Sequence, residues 1–115
     1  MGEYAKKLRD VKELMGFLQK ETPKQIRGFQ TFMASVEEQD TLDRKHKELI
    51  NVALSVGAQC EWCIAFHVKG ALDAGATKEE IIDASMQAVL MHGGPALMYM
   101  TPVKKALEEF LSSDG

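Results

Sequence analysis

The segment Cys60-Glu-Trp-Cys63-Ile-Ala-Phe-His67 carries both cysteines of the chain and one of its three histidines. On a helix, positions three and four apart share a face, so Cys60, Cys63 and His67 would lie along one stripe. Two thiols and an imidazole in that arrangement suit thiol–disulfide exchange: one thiolate attacks, the second resolves, and a base promotes ionisation. A cysteine in a first helical turn also faces the positive end of the macrodipole and several unpaired N–H groups, which favour the thiolate. His67, one turn beyond Cys63, can take its proton.

Other readings compete on these residues alone. A structural disulfide here would close a very short loop, which removes little entropy from the unfolded chain. Zinc as a rule asks for four ligands, and Cys60, Cys63 and His67 supply three, leaving His46, His92, an acid or a neighbouring subunit for the fourth. A c-type haem attachment needs histidine directly after the second cysteine, where this chain has Ile64. The plainest reading is two buried cysteines without chemistry.

A carboxylate belongs in the same picture. Glu48 shares a helix stripe with Val52 and Val56, which turns it inward, and a buried carboxylate is costly unless it is hydrogen-bonded. The competing reading is a surface pair with Arg44 one turn earlier, although Arg on the N-terminal side is the weaker order. His46 sits in the charged run Asp43-Arg-Lys-His-Lys-Glu48 and reads as part of a solvated helix start. His92 precedes Gly93-Gly94 at a helix end and is a second candidate for lining the thiol site. Trp62 can shape access to that site or pack in a core or interface. Met91, Met98 and Met100 do not repeat on one face and read as packing.

The elements that must position these groups are helices. The chain has 115 residues, 45% hydrophobic and 27% charged, with a net charge of −3, the composition of one ordinary globular domain. No basic block invites nucleic acid. No apolar run reaches a membrane span, and no signal core follows the charged N-terminus, so the chain reads as cytoplasmic. In a reducing compartment a lone Cys-x-x-Cys is catalytic or metal-binding more often than a staple.

Periodicity predicts a first helix over about Glu3 to Lys20, with Leu8, Val11, Leu14, Met15 and Leu18 as its stripe. Thr22-Pro23 opens a second helix to about Val36, with Ile26, Phe29, Phe32 and Met33 inward. A third starts near Leu42 or Asp43, is apolar on nearly every face from Leu49 to Val56, and ends near Gly57. A helix so apolar is buried on several sides, within the chain or in an oligomer. A fourth runs from about Gln59 to Ala74. Thr77-x-x-Glu80 is a capping box for a fifth. A last helix spans about Ala96 to Leu111, with a break expected at Thr101-Pro102, before a frayed tail from Ser112 to Gly115. The result is an all-α fold of about six helices.

Glu48 followed by Cys60-x-x-Cys63-x-x-x-His67 resembles the alkylhydroperoxidase AhpD-like branch of the carboxymuconolactone decarboxylase family. Ala74-Gly75-Ala76-Thr77-x-Glu79-Glu80-Ile81 and Gly93-Gly94-Pro95-Ala96-Leu97-Met98-Tyr99 look like the same family. The resemblance covers about Leu42 to Leu111, within a single domain of residues 1–115 whose N-terminal helices occupy 3–36. It implies an oligomerising AhpD-like fold and a thiol-dependent peroxidase or disulfide reductase that uses no haem, flavin or metal. Cys63 would attack the peroxide, Cys60 would resolve, and Glu48 and His67 would form the proton relay.

The partners it implies are a hydroperoxide or disulfide substrate, a lipoyl or thioredoxin-like electron donor, and further copies of the chain in a trimer or hexamer. Trp62 stands where the pattern often has another histidine. An indole cannot move protons as an imidazole can, so this departure implies a slower thiol function. The alternatives are a carboxymuconolactone decarboxylase-like lyase, against which the cysteine pair argues, and a non-enzymatic metal-binding or structural helical oligomer.

Overall fold

The computed structural model describes residues 2–112, and every regular element among them is helical. In chain order these are α1 (Glu3–Glu21), α2 (Pro23–Glu38), α3 (Arg44–Ala58), α4 (Glu61–Asp73), α5 (Lys78–His92), the single-turn α6 (Gly94–Met98) and α7 (Met100–Ser112). The expected all-α architecture holds, with the last predicted helix divided into α6 and α7. The break falls at Tyr99, just ahead of the expected place. Pro102 lacks the N–H that would reach back one turn to Met98, and its ring would crowd that carbonyl, so the helix restarts with Pro102 in its first turn. Ser112 is still helical, and the rest of the expected tail lies outside the described residues.

The core is built by α3, α4, α5 and α7. Val52 and Val56 of α3 meet Ile64, Ala65, Val68 and Ala71 of α4, with Ile81 of α5 and Val103, Ala106 and Leu107 of α7 closing over them. These residues recur at helical spacing on each element, which is why one face of each is removed from water. The two buried serines are satisfied within their own helices: Ser85 donates its hydroxyl to the Ile81 carbonyl at 2.8 Å and Ser55 to the Asn51 carbonyl at 2.6 Å.

Local chemistry fixes the ends. Asp43 caps α3 by accepting the His46 N–H at 2.9 Å. Thr77 and Glu80 form the expected reciprocal capping box of α5. At α1 the cap comes from far along the chain: Glu109 of α7 accepts the Tyr4 and Ala5 N–H groups at 3.0 and 2.8 Å. Thr22 precedes Pro23 as expected, but its hydroxyl donates back to the Leu18 carbonyl instead of capping α2. The other end of α2 is held by Lys47, whose ammonium donates to the carbonyls of Val36, Glu37 and Gln39.

Three expectations about packing need correction. Phe29, Phe32 and Met33 do not point into the core: α2 packs mainly on α1, and the two phenylalanines are 54% and 63% exposed. Helical periodicity identifies an apolar face but not what covers it. Met91 and Met98 likewise lie on the surface. Gly57 does not end α3. The helix runs on to Ala58, and Gln59 takes the left-handed conformation at φ 58°. No helix among the described residues is long and apolar enough to cross a membrane.

Candidate active site: a disulfide and a carboxylate–imidazole pair on adjoining helices

The chain reverses between α3 and α4 over Gln59 and Cys60. The left-handed Gln59 lets its N–H and that of Cys60 bond back to the Val56 and Ser55 carbonyls. Cys60 is therefore extended and is the N-cap of α4, not a residue of its first turn. Its sulfur accepts the Cys63 N–H at 3.2 Å, as a capping oxygen would. The same sulfur is bonded to that of Cys63, with the two Cα atoms 5.2 Å apart. Both sulfurs sit at the positive end of α4, where negative charge developing on either during reduction is favoured.

One turn beyond Cys63, His67 leans toward α3. Its Nδ1 lies 2.9 Å from Glu48 Oε1. The Asn51 side-chain amide donates to the same oxygen at 3.0 Å. Glu48 is only 13% exposed and His67 30%, so the pair is shielded from solvent. Burial pushes the Glu48 carboxyl upward. The hydrogen bonds from His67 and Asn51, with the charges of His67 and Arg44, outweigh it and hold the carboxyl below its ordinary range. An ionised Glu48 accepts the Nδ1–H, which leaves Nε2 as the imidazole nitrogen free to exchange a proton. The inward reading of Glu48 holds, and His67 is its hydrogen-bond partner.

The remaining candidates make other contacts. His46 is exposed at the start of α3, paired with Asp43 at 2.6 Å. His92 lies against Gly57 in the last turn of α3, where a Cβ would stand 3.0 Å from its ring. Trp62 is half-exposed and donates its indole N–H to Asp10 at 3.1 Å. Lys7 lies over the Trp62 ring and reaches Glu61 at 3.4 Å, so α1 holds both residues between the cysteines. Among the described residues no cluster of three or more His, Cys, Asp or Glu could hold a metal ion.

Sequence reasoning missed Asn51 and Gly70. Asn51 was detectable as a polar residue one turn after Glu48 within the largely apolar stretch from Leu49 to Val56. Gly70 was detectable as a glycine inside a helix, one turn after His67. A Cβ there would overlap Glu48 Oε2 and stand 2.9 Å from its carboxyl carbon.

Residues 23–106 match the carboxymuconolactone decarboxylase family. A protein of Cupriavidus necator is 34% identical over 104 residues, which make up 90% of this chain and 89% of that one. A Paracoccus denitrificans protein encoded in the cox locus is 43% identical over 68 residues, 59% of this chain and 61% of its own length. This chain thus spans about three fifths of the Paracoccus relative.

Two solved structures share the fold over nearly the whole chain. A carboxymuconolactone decarboxylase family protein of Legionella pneumophila superposes with a TM-score of 0.88 at 36% identity, covering 94% of this chain and 96% of that one. A Thermotoga maritima protein of the same family, for which involvement in an antioxidative response has been suggested, gives 0.84 at 27% identity over 95% and 92%. The matched range runs from the start of α2 to about the middle of α7, and Glu48, Cys60, Cys63 and His67 fall within it. The chain belongs to the carboxymuconolactone decarboxylase family.

Proposed function

We propose that this protein is a cytoplasmic thiol-dependent oxidoreductase of the alkylhydroperoxidase AhpD-like kind, reducing a hydroperoxide or a disulfide through Cys60 and Cys63. The observation that carries the reading is the Cys60–Cys63 disulfide one helical turn from an imidazole held by Glu48. A disulfide across so short a loop adds little stability, which favours a redox role over a structural one. The suggested antioxidative involvement of the Thermotoga relative points the same way.

In the peroxidase form, His67 takes the Cys63 proton. The Cys63 thiolate attacks the peroxide, so that an S–O bond forms, the O–O bond breaks, and the alcohol leaves with the proton from His67. Cys63 is then a sulfenic acid. Cys60 attacks its sulfur, an S–S bond forms, the S–O bond breaks, and water leaves. A dithiol donor of the lipoyl or thioredoxin-like kind returns two electrons and two protons by thiol–disulfide exchange. In the reductase form the substrate disulfide takes the place of the peroxide, and a mixed disulfide takes the place of the sulfenic acid.

The protein works as a homo-oligomer, with a trimer or hexamer the first choice. Support comes from the bare apolar faces of α2 and of α3, where Ile50 and Leu54 are exposed.

The test is a thiol titration of the reduced protein before and after one equivalent of peroxide, with mass spectrometry locating any new bond. Loss of both thiols into a Cys60–Cys63 disulfide is expected. Full recovery of both thiols from a folded protein, after peroxide and after a small disulfide in turn, contradicts the reading.

A further inference from the structure

Three glycines lie within helices, Gly16 in α1, Gly28 in α2 and Gly70 in the last turn of α4. Apart from proline, glycine is the poorest helix former, so each weakens its helix unless something uses the missing Cβ. Around Gly16 and Gly28 nothing lies within 4 Å of where a Cβ would be. At Gly70 the space is taken by the Glu48 carboxylate.

We propose that Gly70 is a positioning residue for Glu48: its bare backbone forms the slot that lets the carboxylate of α3 reach His67 of α4. This rests on the relay described above and adds a residue to it. Oε1 receives both donors, the His67 Nδ1–H and the Asn51 amide. Oε2 projects over Gly70. A carboxylate is rigid and planar, so displacing Oε2 displaces Oε1 from its two donors. A methyl group at residue 70 is fixed to the α4 backbone and cannot swing aside, whereas the Glu48 side chain can. The carboxylate would therefore yield, and the imidazole would lose the partner that fixes its tautomer and orientation.

The experiment uses Gly70→Ala with two readouts. The first is the pH profile of Cys63 alkylation by iodoacetamide, measured in the Cys60→Ser protein. Near neutral pH, Gly70→Ala is expected to slow alkylation about as much as Glu48→Gln does, on the order of tenfold, and to add nothing on top of Glu48→Gln. The second is the melting temperature. In a Glu48→Ala background the slot is empty, so Gly70→Ala gains helix propensity and should raise Tm by about 3 °C. In the native background the same substitution should leave Tm unchanged or lower it.

If neither Glu48→Gln nor Gly70→Ala alters alkylation but the Tm effect still depends on Glu48, the relay fails and the slot stands. If Gly70→Ala raises Tm equally in both backgrounds, or slows alkylation equally with and without Glu48, the slot is refuted.

Discussion

The α3–α4 pair and the α1–α2 hairpin are both two helices joined by a short turn, and both carry apolar residues at helical spacing. Their fates differ. In α3 and α4, Val52, Val56, Ile64, Ala65, Val68 and Ala71 are completely removed from water within one chain. In α1 and α2 only Tyr4 and Ile26 are buried, and Leu14, Phe17, Phe29, Phe32, Met33 and Val36 remain exposed. The pair that carries the disulfide and the relay is thus built by the chain's own core. The hairpin is tied to that core at one end, through Glu109 at the α1 N-terminus and through Asp10 and Lys7 at Trp62 and Glu61. Its far face is apolar and exposed.

The sharpest way to break this comparison is to truncate one residue in each region. Ile64→Ala removes a fully buried side chain among α4's neighbours, and it should lower the unfolding free energy by about 2–4 kcal/mol at any protein concentration. Phe32→Ala touches no core. Its effect should be under about 0.5 kcal/mol when the chain is dilute and monomeric, and should grow with concentration as an oligomer forms. Denaturant unfolding over a range of concentrations, with light scattering for mass, checks both. A concentration-independent loss of equal size at the two positions would erase the distinction. A monomeric mass at micromolar concentration would remove the partner.

A smaller effect separates the regions by charge. Glu48 ties α3 to α4 with a carboxyl held below its ordinary range. The folded state therefore binds this proton less tightly than the unfolded chain. The stability it contributes is complete above the ordinary carboxylate range, and is lost as the pH falls through the lowered folded value. Acidification below about pH 4.5 should lower Tm, and Glu48→Gln should make that acid limb shallower. Some slope should remain. Glu80 is lowered by the Thr77 N–H and Lys45, and Asp43 by the His46 N–H, and both act in the same direction. An unchanged acid limb after Glu48→Gln would mean that the carboxylate does not link the two helices.

The same contrast shows what could be read before any coordinates. Helix positions, the Thr77 capping box and the inward face of Glu48 follow from spacing and local chemistry, and they are legible because they involve neighbours along the chain. The pairing of the two cysteines was within reach because they stand three residues apart with His67 one turn on, whereas the pairing of Glu48 with His67 was implied only by the family resemblance. What stayed hidden depends on contacts between distant segments. Glu109 caps a helix more than a hundred residues away. Gly57 lies against the ring of His92, from the far end of α5. The phenylalanines of α2 satisfy the helical pattern and yet meet no core. Periodicity states which face is apolar and is silent on whether the cover lies in the same chain.

On the proposed mechanism, the carboxylate of α3, acting through the imidazole of α4, makes Cys63 a better nucleophile. The most direct measurement is the rate of Cys63 alkylation in the Cys60→Ser protein, from about pH 6 to 9, with and without Glu48→Gln. Glu48→Gln should slow alkylation near neutral pH by about tenfold, and the two profiles should converge at high pH once the thiol is ionised without help. Coincident profiles across the whole range would contradict it and leave Glu48 as a structural tie between two helices.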